Sequence, residues 1–497
     1  MVSEQHAAQG SPASDKRPAK VWRRLFLSSS HQDTGARHLG FAVIAGAIGF
    51  ILTQLMRTEF VAPGMQVFGD ADSFNLLVAG YGLVMALFVI APALVGGFGS
   101  WFVPTMIGAG AMAFPRLQVI AFWLLPVALI LLVVSLHEAA GGAVSPFQLG
   151  LAALVLAGIS AVLVAINFVT TILNMRASGM SLHRMPLYVW SILVTSAFLL
   201  LWLPVLGGAV TVLVSHQNHA ALFVEPAGGR PDVNRYAFWF LVHPEVYVLL
   251  LPSFGIVSQI VATFSRRPVL GHLALAYAMV AMGFVGFIAW AQQLYAGDIA
   301  GNARSYFIFI SIVIALPASL SIVSWLVTMW RGAVSFRTPM LWALGFVFLL
   351  SVGALTGVAD VGMTRAAPDA HLLRAHFQYV LALGAVFAVF ANWFYWFPKI
   401  TGLLFNEPLA KLQFWVTFVG VNLAVFTQHF LGLVVTLRRF VGYPNADAGW
   451  QQLTTVGSDL TLAGLGIFVV CMAEAVLRRN VANQNPWKAT TGEWTTL

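Results

Sequence analysis

The chain is 497 residues long, 59% hydrophobic and only 9% charged, a balance that excludes a soluble globular protein, because so much apolar surface could not be hidden at this length. Its net charge of +8 does not point to nucleic acid, since the basic residues fall in short loops between apolar runs; lipid headgroups are the partner this pattern implies. The single cysteine, Cys471, excludes a disulfide framework and a thiolate cluster, so any metal must take His or oxygen ligands.

In chain order, residues 1–38 are polar, with a basic cluster at Lys16, Arg17, Lys20, Arg23 and Arg24 and no apolar core or cleavage site, which reads as a cytoplasmic tail and not a signal peptide. Apolar segments of roughly 20 residues, enough to cross the hydrocarbon core as helix, then begin near Leu39, Phe74, Leu117, Phe147, Leu187, Phe238, Leu270, Phe307, Met340, Leu372, Leu412 and Leu460. They predict an all-α polytopic bundle of about twelve spans, one membrane domain over 39–478, followed by a cytoplasmic tail over 479–497. The loops on the side of the first tail hold Arg116, Arg176, Arg184, Arg266, Arg267, Arg331, Arg337, Lys399 and Lys411, and Arg478, Arg479 and Lys488 follow the last span, which places both termini inside. The opposite loops, such as 227–233 and 442–449, are rich in Gly, Pro, Asp and Asn and read as an ordered outer cap. Gly46, Gly49, Gly96, Gly97 and Gly99 mark close helix packing.

One stretch departs from the apolar pattern. Leu241–Leu251 carries His243, Pro244, Glu245 and Tyr247 in what is otherwise a greasy helix, and His243 and Tyr247, four apart, share one face. Taken alone, an intramembrane His of this kind either bonds a neighbouring helix or belongs to a functional site.

The chain resembles subunit I of the haem-copper oxidases, the cytochrome c oxidase type. The matching stretches are Ser-His-Gln-Asp-Thr-Gly from Ser30, the Gly-rich run from Gly96 with Met-Ala-Phe-Pro-Arg from Met112, His-Pro-Glu-Val-Tyr from His243, Ala-His-Phe-Gln-Tyr from Ala375, and Gln-His-Phe-Leu-Gly-Leu from Gln428 with Arg438 and Arg439. The resemblance implies a bundle built for two haems and one copper, all held by imidazole. It assigns the high-spin haem ligand to His376. The low-spin ligands would be two histidines, one of them two residues further on, roughly 200° around the same helix; those positions here are Gln378 and Tyr81. A Tyr can hold ferric haem, but opposite Gln it makes a poor electron relay. For copper the family uses His243 with two adjacent histidines, at positions that read Gln292 and Gln293, and amide oxygen is a weak copper ligand.

The same comparison puts Ala111 where a proton-uptake carboxylate is expected and Ser321 where the lysine of a second proton route is expected, while Glu245, the internal relay, is kept. Arg438, Arg439 and Arg57 match bases that flank the haem edges, guanidinium forks being suited to propionates; the alternative is that they pair with acids or lipid phosphates. His371 is a spare imidazole to be considered as a replacement ligand, beside Tyr81. The resemblance therefore implies an atypical subunit I in a respiratory complex of a bacterial inner membrane. It would lack the low-spin haem and copper, would hold at most one haem on His376, and would pair with subunit II- and III-like chains and with a cytochrome or quinol donor. Two alternatives stand beside it: an active terminal oxidase or nitric oxide reductase working through His376, His243 and Tyr247, and a haem-based sensor of diatomic gases.

Overall fold

The computed structural model describes residues 28–59, 71–138, 146–215, 231–292, 302–363, 379, 384–441 and 448–495. Twelve long helices run through them: α1 His31–Glu59, α2 over 71–106, α3 Pro115–Glu138, α4 Pro146–Asn174, α5 Leu187–Ser215 and α6 Pro231–Phe264, then α7 His272–Gln292, α8 Asn302–Trp330, α9 Thr338–Met363, α10 Gly384–Thr401, α11 Glu407–Val441 and α12 Ala448–Arg478. A final turn, α13, covers Gly492–Thr495. Nine stretches are long and apolar enough to cross a membrane over their described residues, with shorter apolar helix at Leu187–Trp202 and His272–Ile288. Chain neighbours pack side by side, most extensively α3 with α4, α5 with α6 and α11 with α12. In hydrocarbon a span must satisfy its own backbone, so each apolar run of this length becomes helix. The expected all-α bundle of about twelve spans is what forms.

Most helices begin before their apolar runs do, because their first turns carry polar residues. α1 starts at His31 behind a Ser28 hydroxyl that donates to Asp33 at 2.6 Å. Asn406 caps α11 through the Leu409 N–H at 3.2 Å, and Glu407 takes the Thr338 N–H that opens α9 at 2.7 Å. α2 is unusual: α-helical over Ala71–Leu83, it widens into π-helix over Val84–Ile90 and Pro92–Gly99 before closing as Ser100–Met106. Pro92 supplies no N–H, which favours the wider pattern there. A side chain at Gly97 would lie 2.7 Å from Leu39 of α1 and one at Gly99 3.0 Å from Phe168 of α4, so these glycines let α2 sit between its neighbours. Gly49 is equally tight against Met85, whereas Gly46 has room, its nearest atom being 4.0 Å away on Val89. The closest backbone approach among the described glycines was not among the expected ones: a Cβ on Gly457 of α12 would meet the Ala424 nitrogen of α11 at 2.3 Å, and one on Gly420 of α11 the Thr461 nitrogen of α12 at 2.6 Å.

The loops at one end are stitched together. Ala177 N–H bonds the Ile107 carbonyl, Ser335 N–H the Phe264 carbonyl, and Leu404 N–H the Asn480 carbonyl, each at 2.8 Å. This end holds the basic loop residues. The 479–497 segment, expected as a tail, returns to the bundle in its described part: Trp487, Glu493 and Trp494 are buried. Most of the expected outer cap, 216–230 and 442–447, lies outside the described residues.

Candidate functional site

The polar stretch of the sixth span lies within α6, with His243 and Glu245 in its helical backbone. Tyr247, one turn on, is buried; its ring tilts against Phe198 of α5 at 5.6 Å. The room for it comes from Gly286 of α7, where a Cβ would stand 2.5 Å from the tyrosine ring. Gln292 is the last residue of α7 and Gln293 lies outside the described residues, as do His371, His376 and Gln378. Arg438 and Arg439 fall in the last turn of α11.

Three other positions have their partners in view. Tyr81, near the end of the α-helical part of α2, has its phenol beside the Thr53 side chain of α1, whose hydroxyl donates to the Gly49 carbonyl at 2.9 Å. Arg57, in the last turn of α1, forms an ion pair with Asp459 of α12, with both side chains partly exposed. Ser321 in α8 is buried and donates to the Pro317 carbonyl at 2.9 Å, so its hydroxyl is turned back onto its own helix.

Ala111 is exposed in the loop between α2 and α3. Just inside it lies a cluster that the sequence reading passed over. Asn167 of α4 accepts the Phe114 N–H at 2.9 Å and donates to the Phe114 carbonyl at 3.0 Å and to Gln118 Oε1 at 2.6 Å. The Gln118 amide in turn donates to the Ser100 hydroxyl at 2.7 Å. Asn167, Gln118 and Ser100 are all at most 1% exposed. These side chains close on one another across α2, α3 and α4, and His31 of α1 reaches the same place with its Nδ1 3.2 Å from the Ser100 carbonyl. Beyond the cluster is a cavity of about 70 Å³, lined mainly by apolar side chains together with His38 and Ser160. His38 had been counted with the tail, yet it is a buried residue of α1 whose Nδ1 faces the Thr34 carbonyl at 2.9 Å and whose Nε2 has no hydrogen-bond partner. Its signal was weak because it stands where the polar tail gives way to the apolar run.

A family profile described as cytochrome c and quinol oxidase polypeptide I matches residues 33–464. The chain is 40% identical to cytochrome c oxidase subunit 1 of Cereibacter sphaeroides, over 95% of this chain and 92% of that protein. It is 38% identical to cytochrome c oxidase subunit 1 of Eremothecium gossypii, over 92% and 89%. Its fold matches a haem-copper terminal oxidase solved as a dimer by cryo-electron microscopy, with a TM-score of 0.70 at 15% identity, covering 91% of this chain and 85% of the other. With a family match over most of its length and relatives this similar end to end, the chain belongs to the cytochrome c and quinol oxidase polypeptide I family.

Proposed function

We propose that this integral membrane protein is an atypical subunit I: a twelve-helix scaffold of an oxidase-type respiratory complex that does without the low-spin haem and the copper, with His376 as the position for one high-spin haem. The observation that carries this reading is what lies beside Tyr81 and Arg57. Both match positions beside the family's low-spin haem, and both have protein groups at hand, the phenol lying beside Thr53 and the guanidinium paired with Asp459. A phenol at Tyr81 opposite an amide at Gln378 supplies no imidazole and does not fit a low-spin haem site. One imidazole at His243 with two amides, Gln292 and Gln293, does not fit copper.

The proton routes support the same reading. Ala111 carries no carboxylate, the Asn167, Gln118 and Ser100 side chains inside it supply none either, and Ser321 bonds Pro317. Glu245 is retained without either supply. The basic loops at one end favour a bacterial inner membrane with both termini cytoplasmic, and the exposed apolar belt is the lipid face. Subunit II- and III-like chains are the expected partners. The test is metal content of the purified protein: at most one haem by pyridine haemochrome and copper well below one per chain. Two haems with stoichiometric copper overturn the proposal.

One observation favours a second reading, an active oxidase or nitric oxide reductase with a remodelled centre. Tyr247 is still seated against α7 by the space Gly286 leaves, and it keeps its place one turn from His243. Turnover of oxygen or nitric oxide with a reduced cytochrome or quinol, abolished by His376→Ala, establishes that reading; a protein with no reduced-minus-oxidised haem spectrum excludes it. The same spectrum with carbon monoxide reports an open iron position, as the gas-sensing alternative requires.

A further inference from the structure

After α12 the chain turns back across the basic end of the bundle. The Leu404 N–H bonds the Asn480 carbonyl and the Ala482 N–H the Gly402 carbonyl, each at 2.8 Å, and Leu403 and Val481 form an antiparallel bridge. Trp487 then buries its ring and donates from Nε1 to the Tyr395 carbonyl of α10 at 2.8 Å, while Trp494 packs edge-on against the Tyr395 ring at 5.6 Å. Between these anchors Glu493 is 0% exposed, wedged against α6 and α10 where Gly492 approaches the Met106 end of α2. A carboxyl driven into a protein by flanking tryptophans calls for a charge partner or a proton.

Among the described residues Glu493 has no charge partner, which leaves the proton. Its Oε1 receives hydrogen bonds from Gln259 of α6 and from Thr491 at 2.7 Å, with the Tyr395 hydroxyl 3.5 Å away and itself bonded to Thr263 at 3.1 Å. Its Oε2 is buried without a partner, and so is Gln259 Oε1. The pocket thus holds two orphaned acceptor oxygens, and a proton on Oε2 converts one of them into a donor. The charged groups at this end of the packed elements are Lys399 in the last turn of α10, Arg266 and Arg267 after α6, and Arg479 and Lys488 on the segment itself; the partners of Glu493 are the neutral groups named above. Arg266 stands at the exposed rim and donates to the Lys488 carbonyl at 3.3 Å.

We propose that Glu493 is a proton-binding site of the basic end, and that its protonated form fastens the C-terminal segment between α2, α6 and α10. The segment stays seated while Glu493 holds its proton and lifts away when the proton leaves, uncovering Gln259, Thr263 and Tyr395. Burial pushes the carboxyl above its ordinary range, with the hydrogen bonds from Thr491, Gln259 and Tyr395 opposing. The docked state therefore binds the proton more tightly than the released one. Docking is strongest below the released pKa and weakens by about tenfold per pH unit as the pH rises towards the docked pKa. This inference does not depend on whether the chain carries a haem.

The test is hydrogen exchange of the full-length protein in lipid nanodiscs, read on peptides covering 486–495 and corrected for the intrinsic pH dependence of exchange. In the wild type, protection should fall by about tenfold per pH unit across the titration of Glu493. Glu493→Gln, which keeps the shape and carries no charge, should remain protected with a flat profile. Thr491→Val removes a hydrogen bond that favours the charged form, so release should move to higher pH, and this variant serves if Glu493→Gln does not fold. A flat wild-type profile, a slope that persists in Glu493→Gln, loss of protection in Glu493→Gln at low pH, or a Thr491→Val shift to lower pH each overturns the proposal.

Discussion

Replacing Asn167 and Gln118, singly and together, separates a hydrogen-bonded clamp from ordinary packing. Asn167→Leu removes three short bonds, together with a long one from the Thr171 hydroxyl, which keeps its 2.7 Å bond to the Asn167 carbonyl. Two of them engage the backbone of Phe114, a residue 45% exposed, so that N–H and C=O can turn to water, and each loss costs about 0.6 kcal/mol, the average for such bonds in membrane proteins. The third leaves Gln118 Oε1 orphaned at 1% exposure, which costs about 1–3 kcal/mol. The single variant should thus lose about 2–4 kcal/mol. Gln118→Leu strands one N–H of Asn167 and the Ser100 hydroxyl, for about 1–3 kcal/mol. In the double variant neither end of the shared bond is stranded, so the combined loss should fall short of the sum by about 1–2 kcal/mol. The assay is reversible unfolding in mixed micelles followed by circular dichroism. Losses that add to within about 0.5 kcal/mol, or an Asn167→Leu loss below that, would show that the amides do not act as a unit.

Gly286→Val should crowd the Tyr247 ring and cost about 1–3 kcal/mol, read as a lowered thermal midpoint in detergent, with Gly286→Ala milder. Trp342 is fully buried, with ring centroids of Phe387, Phe390 and Phe414 at 4.7, 4.5 and 5.2 Å; Trp342→Ala should cost about 3–5 kcal/mol in the same assay. Asp459→Asn should cost no more than about 1 kcal/mol, because its ion pair with Arg57 is partly exposed, and the loss should shrink in molar salt. If that variant instead brings up a six-coordinate haem spectrum, freeing Arg57 has restored a haem edge and the reading of Tyr81 and Arg57 fails.

The number and order of the spans were legible because a run of about twenty apolar residues in lipid has one way to satisfy its backbone. Where a helix begins was less so: Asn406 and Glu407 cap helices, and polar caps look like loop in a hydropathy reading. The π-helical widening of α2 also escaped, since Pro92 announces a missing N–H but not the way the turn around it relaxes. For the candidate site, motifs located His243, Glu245, Tyr247, Arg57 and Tyr81 on their helices, while His376, His371, Gln378 and Gln293 lie outside the described residues. No motif announced His38, or the closure of Asn167, Gln118 and Ser100 on one another, because a polar residue in a span reads the same whether its partner is a helix, a water or a ligand.

By itself the sequence determined the family and the span count, both of which are properties of local composition and of motifs short enough to survive as words. Only the tertiary structure decided the pairings. Arg57 meets Asp459 across 402 positions of chain, and Glu493 reaches Gln259 across 234. Such contacts follow from how helices lie against one another, through close approaches like Gly420 on α12, and packing of that kind is set by shape summed over many residues, with no local pattern to announce it.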